Sequence, residues 1–144
     1  MFAALVMVAP ASSTPSADCY DVKINARIVE QIPSEAPVCD DCIIMRWPWF
    51  LDFQVKRTIE GDWRGKALTA LSVQHTYLQS RYGIWLLRKN NLGGYNILIS
   101  DDHMKPVRCP ASTELAVAYL RPGPNLSLDE MRQAGERRYG QSPR

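Results

Sequence analysis

From Asp21 the chain alternates, with Val22, Ile24, Ala26 and Ile28 on one side and Lys23, Asn25 and Arg27 on the other. Successive side chains of an extended strand point to opposite faces, so a period of two predicts a half-buried strand. Val29 directly follows Ile28, as at a β-bulge, and Pro33 and Pro37 end the run. A long connection follows. The second strand is predicted over Leu51 to Ile59, with Leu51, Phe53, Val55 and Ile59 on its apolar face and Asp52, Gln54, Lys56 and Thr58 opposite; only Arg57 departs from the pattern. Gly61-Asp62-Trp63-Arg64-Gly65 is a turn bounded by glycines, and Ala67 to His75 reads as a third strand that completes a hairpin.

A helical turn is expected over Thr76 to Tyr82, then strands over Ile84–Leu87 and Tyr95–Ile99, joined by the loop Asn90-Asn91-Leu92-Gly93-Gly94. Pro122-Gly123-Pro124 marks a linker. Ser127-Leu128-Asp129-Glu130 is a capping box, so a helix should run from Leu128 to about Tyr139 and stop at Gly140, with Leu128, Met131 and Gly135 on one face. Arg132, Arg137 and Arg138 read as its solvated face. The division is an N-terminal segment over 1–17, a barrel over 18–110, a linker over 111–126 and a helix with tail over 127–144. Five strands with a bulged first strand predict a mainly β fold, a five-stranded OB-like Greek-key barrel with a short C-terminal α-helix.

Composition narrows the function classes. The 144 residues are 46% hydrophobic and 22% charged, an ordinary balance for one globular domain. Against 17 Lys and Arg stand 15 Asp and Glu, a net +2, too even for a chain whose work is neutralising many phosphates. Nucleic acid is therefore not the expected partner, and Lys56, Arg57, Arg64 and Lys66 around the hairpin read as a solvated tip.

Residues 1–17 carry no charge, and Phe2 to Val8 is a short apolar run followed by small residues and prolines, the shape of a signal peptide with cleavage favoured after Ala11 over Ala17. No Lys or Arg precedes the run, which leaves a disordered apolar N-terminus as the other reading. The first reading places the protein in the periplasm or outside the cell. Asp18 ahead of Cys19 argues against a lipoprotein, and no apolar stretch approaches the roughly 20 residues of a membrane span.

The four cysteines, Cys19, Cys39, Cys42 and Cys109, all follow that segment, and an even number in a small exported domain reads as disulfides. Cys19 opens the domain and Cys109 follows its last strand-like run, which favours joining them and leaves Cys39 with Cys42. Two other readings stay open. Cys39-Asp40-Asp41-Cys42 has the spacing of a redox pair, although its aspartates disfavour a thiolate; the same pair is also half of a zinc site that Cys19 and Cys109 would complete.

Ala26-Arg27-Ile28-Val29-Glu30, Phe53-Gln54-Val55-Lys56-Arg57-Thr58-Ile59-Glu60-Gly61-Asp62 and Gly65-Lys66 together resemble exported bacterial proteins related to the netrin-like module, whose fold the tissue inhibitors of metalloproteinases share. The resemblance covers about Cys19 to Cys109 and implies an OB-type barrel. It does not extend to protease inhibition, which depends on an N-terminal cysteine with a free amino group, whereas Asp18 precedes Cys19 here.

Trp47-Pro48-Trp49-Phe50 sets aromatic rings beside the Cys39/Cys42 pair. With Trp63 and Arg64 of the hairpin tip, Trp47 and Trp49 form the candidate binding surface, for a protein or peptide; the competing reading is that the rings close one end of the barrel. Asp101-Asp102-His103 reads as a turn, the other histidine, His75, has no metal-ligand spacing, and Ser72 with His75 lacks a nucleophile elbow. No cofactor, metal or catalytic residue is expected. The function read from the sequence is an exported, non-catalytic binding module; the alternative is a thiol–disulfide protein using Cys39 and Cys42.

Overall fold

The computed structural model describes residues 19–36, 40–98 and 105–140. Its elements are β1 (Cys19–Tyr20), β2 (Val22–Pro33), β3 (Trp47–Glu60), β4 (Ala67–Gln74), β5 (Gly83–Lys89), β6 (Tyr95–Ile97), β7 (Val107–Arg108) and α1 (Leu128–Tyr139). Strands β2, β3, β4, β6 and β5 close a barrel in that order, antiparallel at every seam except β4–β6. Counting only barrel strands, the order is 1-2-3-5-4, so the chain crosses the barrel between its third and fourth strands, as in an OB-type Greek key.

The alternation in β2 does what its sequence predicts. Val22, Ile24, Ala26 and Ile28 are buried inside the barrel with Leu51, Phe53 and Val55 of β3, Leu68 and Ala70 of β4, Leu87 and Ile97. At the bulge the register passes from Ile28↔Phe53 to Glu30↔Asp52, which leaves Val29 unpaired and exposed. Skipping one residue reverses which parity faces inward. Gln31 therefore turns to the barrel end, while Ile32 moves to the outer face and joins a second core with Phe50, Leu71 and Ala118.

That second core is the floor for α1. Leu128 and Met131 pack on it and Gly135 is buried against β2, so the predicted helix face is the one used. The capping box is present, with Glu130 N–H donating to Ser127 Oγ (3.2 Å) and Ser127 N–H to Glu130 Oε2 (2.8 Å).

The structure departs from the sequence reading at several points, and the β1–β7 ribbon is not among the expected strands. Strand β3 begins at Trp47 rather than Leu51, because Trp47 to Phe50 continue the ladder with β4. Thr76 to Tyr82 forms no helix: Gln31 clamps this stretch to the barrel end, donating to Leu78 O (2.7 Å) and accepting from Leu78 N–H (2.8 Å). Part of the expected linker is packed structure, since Asn91 N–H donates to Ala116 O (2.8 Å), Ala116 N–H to Lys89 O (3.0 Å), and Ala118 is buried. Finally, Arg132 is not on a solvated face; it pairs with Glu30 and Asp52 on the barrel wall.

Candidate functional site

The expected aromatic surface divides in two. Because β3 is a single strand from Trp47 to Glu60, Trp47 and Trp49 stand at one end of it and the Trp63–Arg64 hairpin tip beyond the other. One ligand contacting both would have to span the barrel.

At the first end, residues i and i+2 of a strand share a face, and Trp47 and Trp49 stack side by side with centroids 5.7 Å apart. Trp49 points into the barrel end and is only 2% exposed, edge-on to Tyr77 at 5.1 Å. It closes the core and offers no free ring, so it drops out of the binding surface. Trp47 is half-buried, fixed by Nε1 donating to Ser34 O (3.1 Å). Ahead of it the chain exposes Ile43 (85%) and Met45 (64%), and Leu78 beside Tyr77 is also exposed. Below the rings lies a satisfied polar layer: Ser72 Oγ donates to Gln74 Oε1 (2.8 Å), and Gln74 Nε2 to Gln31 Oε1 (3.0 Å) and Thr76 O (3.0 Å). The amide pairs of this layer pin the 75–82 loop, while Trp49 Nε1 above them is buried without a hydrogen-bond partner among the described residues.

At the other end, Trp63 folds back on the barrel. Its ring meets Tyr95 edge-on at 6.0 Å, its Nε1 donates to Gly65 O (3.1 Å), and Thr58 Oγ1 holds its carbonyl (2.7 Å). A Cβ on Gly65 would lie 2.6 Å from the indole, which explains the glycine closing this turn. Trp63 is half-buried and Arg64 exposed. The hairpin tip is thus a self-packed turn with one projecting cation.

Cys19 and Cys109 are joined, with Cα atoms 4.8 Å apart. The bond ties β1 to β7, which pair in parallel over the outside of β5, and Cys109 N–H donates to Tyr20 O (2.8 Å). Tyr20 Oη donates to Glu60, an interaction that together with burial pushes the Tyr20 phenol above its ordinary value. Cys42 is also disulfide-bonded and is exposed; Cys39 lies outside the described residues, as do Asp101, Asp102 and His103. His75 is exposed beyond the end of β4, and no group of three or more potential metal ligands occurs among the described residues.

Sequence reasoning missed the Arg132 cluster. Arg132 Nη2 reaches Glu30 (3.3 Å) and Asp52, and Thr69 Oγ1 donates to Asp52 (2.7 Å), so β2, β3, β4 and α1 meet at one charged node beside a cleft of about 190 Å³ between Leu71, Tyr95 and Leu128. The signal available was the pair of outward-facing acids, Glu30 and Asp52, which oppose each other across the bulge. Burial, with Asp52 and Glu136 adding to it, pushes the Glu30 carboxyl above the usual glutamate range even though Arg132 pulls the other way. A raised folded-state pKa means that this group stabilises the fold below its unfolded value of about 4.3 and that the contribution is lost as pH rises through the folded value. Between pH 4.5 and 7 the urea midpoint should therefore fall less, or rise more, in Glu30→Gln than in the parent. An equal loss at both pH values would mean that the attraction to Arg132 cancels burial, and a larger loss at pH 7 that it outweighs burial.

No family model, curated protein or solved structure matches the chain. No helix of the described residues is long and apolar enough to cross a membrane.

Proposed function

We propose that the protein is a non-catalytic binding module of the periplasm or the cell exterior that takes an apolar peptide segment of another protein against the Trp47 end of its barrel. The observation that carries this reading is the exposure of Ile43 and Met45 on the segment leading into Trp47. Large apolar side chains held out in water next to an anchored indole are what a peptide-binding rim needs, since a few apolar and aromatic anchors dominate such interfaces. The Cys19–Cys109 bond and the uncharged N-terminal segment support export. The barrel order and the tie between its first and last strands support kinship with netrin-like modules, without their inhibitory N-terminus.

Panning a random peptide library on the immobilised chain tests the proposal. Apolar peptides should be enriched and should bind at least tenfold more weakly to the Ile43→Asp/Met45→Asp double variant, whose thermal midpoint should not move because both side chains are exposed. Enriched peptides that ignore this double substitution would place the site elsewhere.

Tryptophan accessibility gives a separate check. In a Trp85→Phe background, acrylamide should quench Trp47 partly and Trp49 hardly at all, which Trp47→Phe and Trp49→Phe variants resolve. Equal protection of both indoles would mean that Trp47 also only closes the core.

A further inference from the structure

Arg88 poses a problem that the binding function does not answer. It lies in β5, facing out of the barrel, yet it is only 6% exposed because β1, β7 and their disulfide cover it. Its guanidinium Nη1 touches both Cys19 Sγ and Cys109 Sγ, and Nη2 donates to Glu114 O (2.7 Å). Among the described residues no carboxylate pairs with it; Arg132 is the cation of both ion pairs. A buried charge without a counter-charge is costly, and a disulfide sulfur is a weak, neutral acceptor that offsets little of that cost.

The partner that would satisfy Arg88 is a thiolate. Reduction of the bond puts a full negative charge at the atom Arg88 already touches, in a site of low dielectric, so the cation favours the opened form over the closed one. The two sulfurs are also unequal. Cys19 is 5% exposed, whereas Cys109 is half-buried and lines an open cleft of about 500 Å³ whose walls carry Asp21, Asp62 and Glu114 as well as Lys89 and Arg108, so access and not net charge sets Cys109 apart as the sulfur open to attack.

We propose that Cys19–Cys109 is a thiol-exchange site as well as a staple. A thiolate from an external thiol or protein dithiol enters the cleft and its electron pair forms a new S–S bond to Cys109 Sγ. The Cys19–Cys109 bond breaks and its electron pair leaves on Cys19 Sγ as a thiolate held by Arg88. With a dithiol, the second thiolate of the partner then attacks its own sulfur in the mixed disulfide, which frees Cys109 as a thiolate and leaves the partner oxidised. The barrel survives the opening because neither cysteine belongs to either hydrophobic cluster, and β1 and β7 lie outside the closed sheet. Arg88 acts as a positioning residue that lowers the pKa of the leaving sulfur, and a lower leaving-group pKa speeds exchange.

The test uses the full chain with Cys39→Ser and Cys42→Ser, so that only this pair exchanges. It is equilibrated in glutathione buffers, quenched with an alkylating agent and mapped by mass spectrometry; the pH profile of iodoacetamide labelling is measured on the reduced form. The expected result is a first glutathione adduct on Cys109 and a Cys19 thiol that titrates well below the free value of about 8.5. Arg88→Met should move the equilibrium toward the disulfide at least tenfold, about 30 mV, and return Cys19 to the free value, while Arg88→Lys keeps most of the shift. A Cys19 profile near the free value in the parent pair, including one that follows from unfolding on reduction, overturns the proposal. So does an adduct on Cys19, or an equilibrium that Arg88→Met leaves in place. If Arg88→Met fails to fold, the parent profile and the adduct position still decide.

Discussion

Phe53→Ala should cost about 3 to 5 kcal/mol of folding stability, the range for deleting a large ring from a packed core. Phe53 is the largest of the fully buried side chains, and its cross-strand partners are Ile28 on β2 and Leu68 on β4, both themselves buried. Its ring also packs against Trp85 of β5 at a centroid distance of 4.9 Å, so one side chain joins four barrel strands around the axis. Removing it leaves a void that a closed sheet cannot collapse into, since moving one strand breaks the ladder with both of its neighbours. Urea unfolding followed by circular dichroism measures the loss, and Trp85 emission should move toward the red in the folded variant as its neighbour is lost. A cost below about 1 kcal/mol would contradict the packing described here. Phe53→Leu, which keeps most of the volume, should cost much less.

The barrel was legible in the sequence because its information is local and periodic. The alternation in β2 and β3, the bulge at Val29, the glycine-bounded hairpin turn and the capping box at Ser127 each declare themselves within a few residues, and each is where the pattern places it. The Cys19–Cys109 bond was legible for a different reason: closing a sheet of this order brings its first and last segments together. What was not legible depends on contacts distant in sequence. Nothing near Arg132 announces Glu30, 102 residues away, or Asp52, 80 residues away, so it resembles any solvated helix arginine. Trp47 and Trp49 look alike in the chain, and only the register with β4 decides that one caps the core while the other stays half open. Arg88 directly follows the apolar run Ile84–Leu87, where a cation reads as the solvated end of a strand until the β1–β7 ribbon is laid over it. The candidate site was thus half legible: the aromatic segment was found, but its grouping with the hairpin tip failed because β3 extends four residues further back than its alternation indicates.

The second large effect concerns Gly135, where two physical arguments point in opposite directions. In an exposed helix interior, replacing glycine by alanine stabilises by about 1 kcal/mol, because alanine loses less backbone freedom on folding. Here the added Cβ would stand 2.1 Å from the carbonyl oxygen of Pro33 and 3.3 Å from Ile32 Cγ2. The first neighbour is backbone at the end of β2 and cannot swing aside, so α1 must lift or slide along the barrel. Overpacking of this kind costs about 1 to 3 kcal/mol and sometimes more, which exceeds the propensity gain. The loss has a particular form. A 12-residue helix is marginal in water on its own, so lifting α1 melts it and uncovers Ile32, Phe50 and Leu71 while the inner core stays closed. Gly135→Ala should therefore lower the urea midpoint, reduce the helical part of the circular dichroism spectrum, and open the 121–127 stretch to proteolysis. Gln133→Ala, at an exposed position of the same helix, should do none of these. Stabilisation by Gly135→Ala would mean that propensity wins and that α1 does not rest on β2 as closely as the Pro33 contact requires.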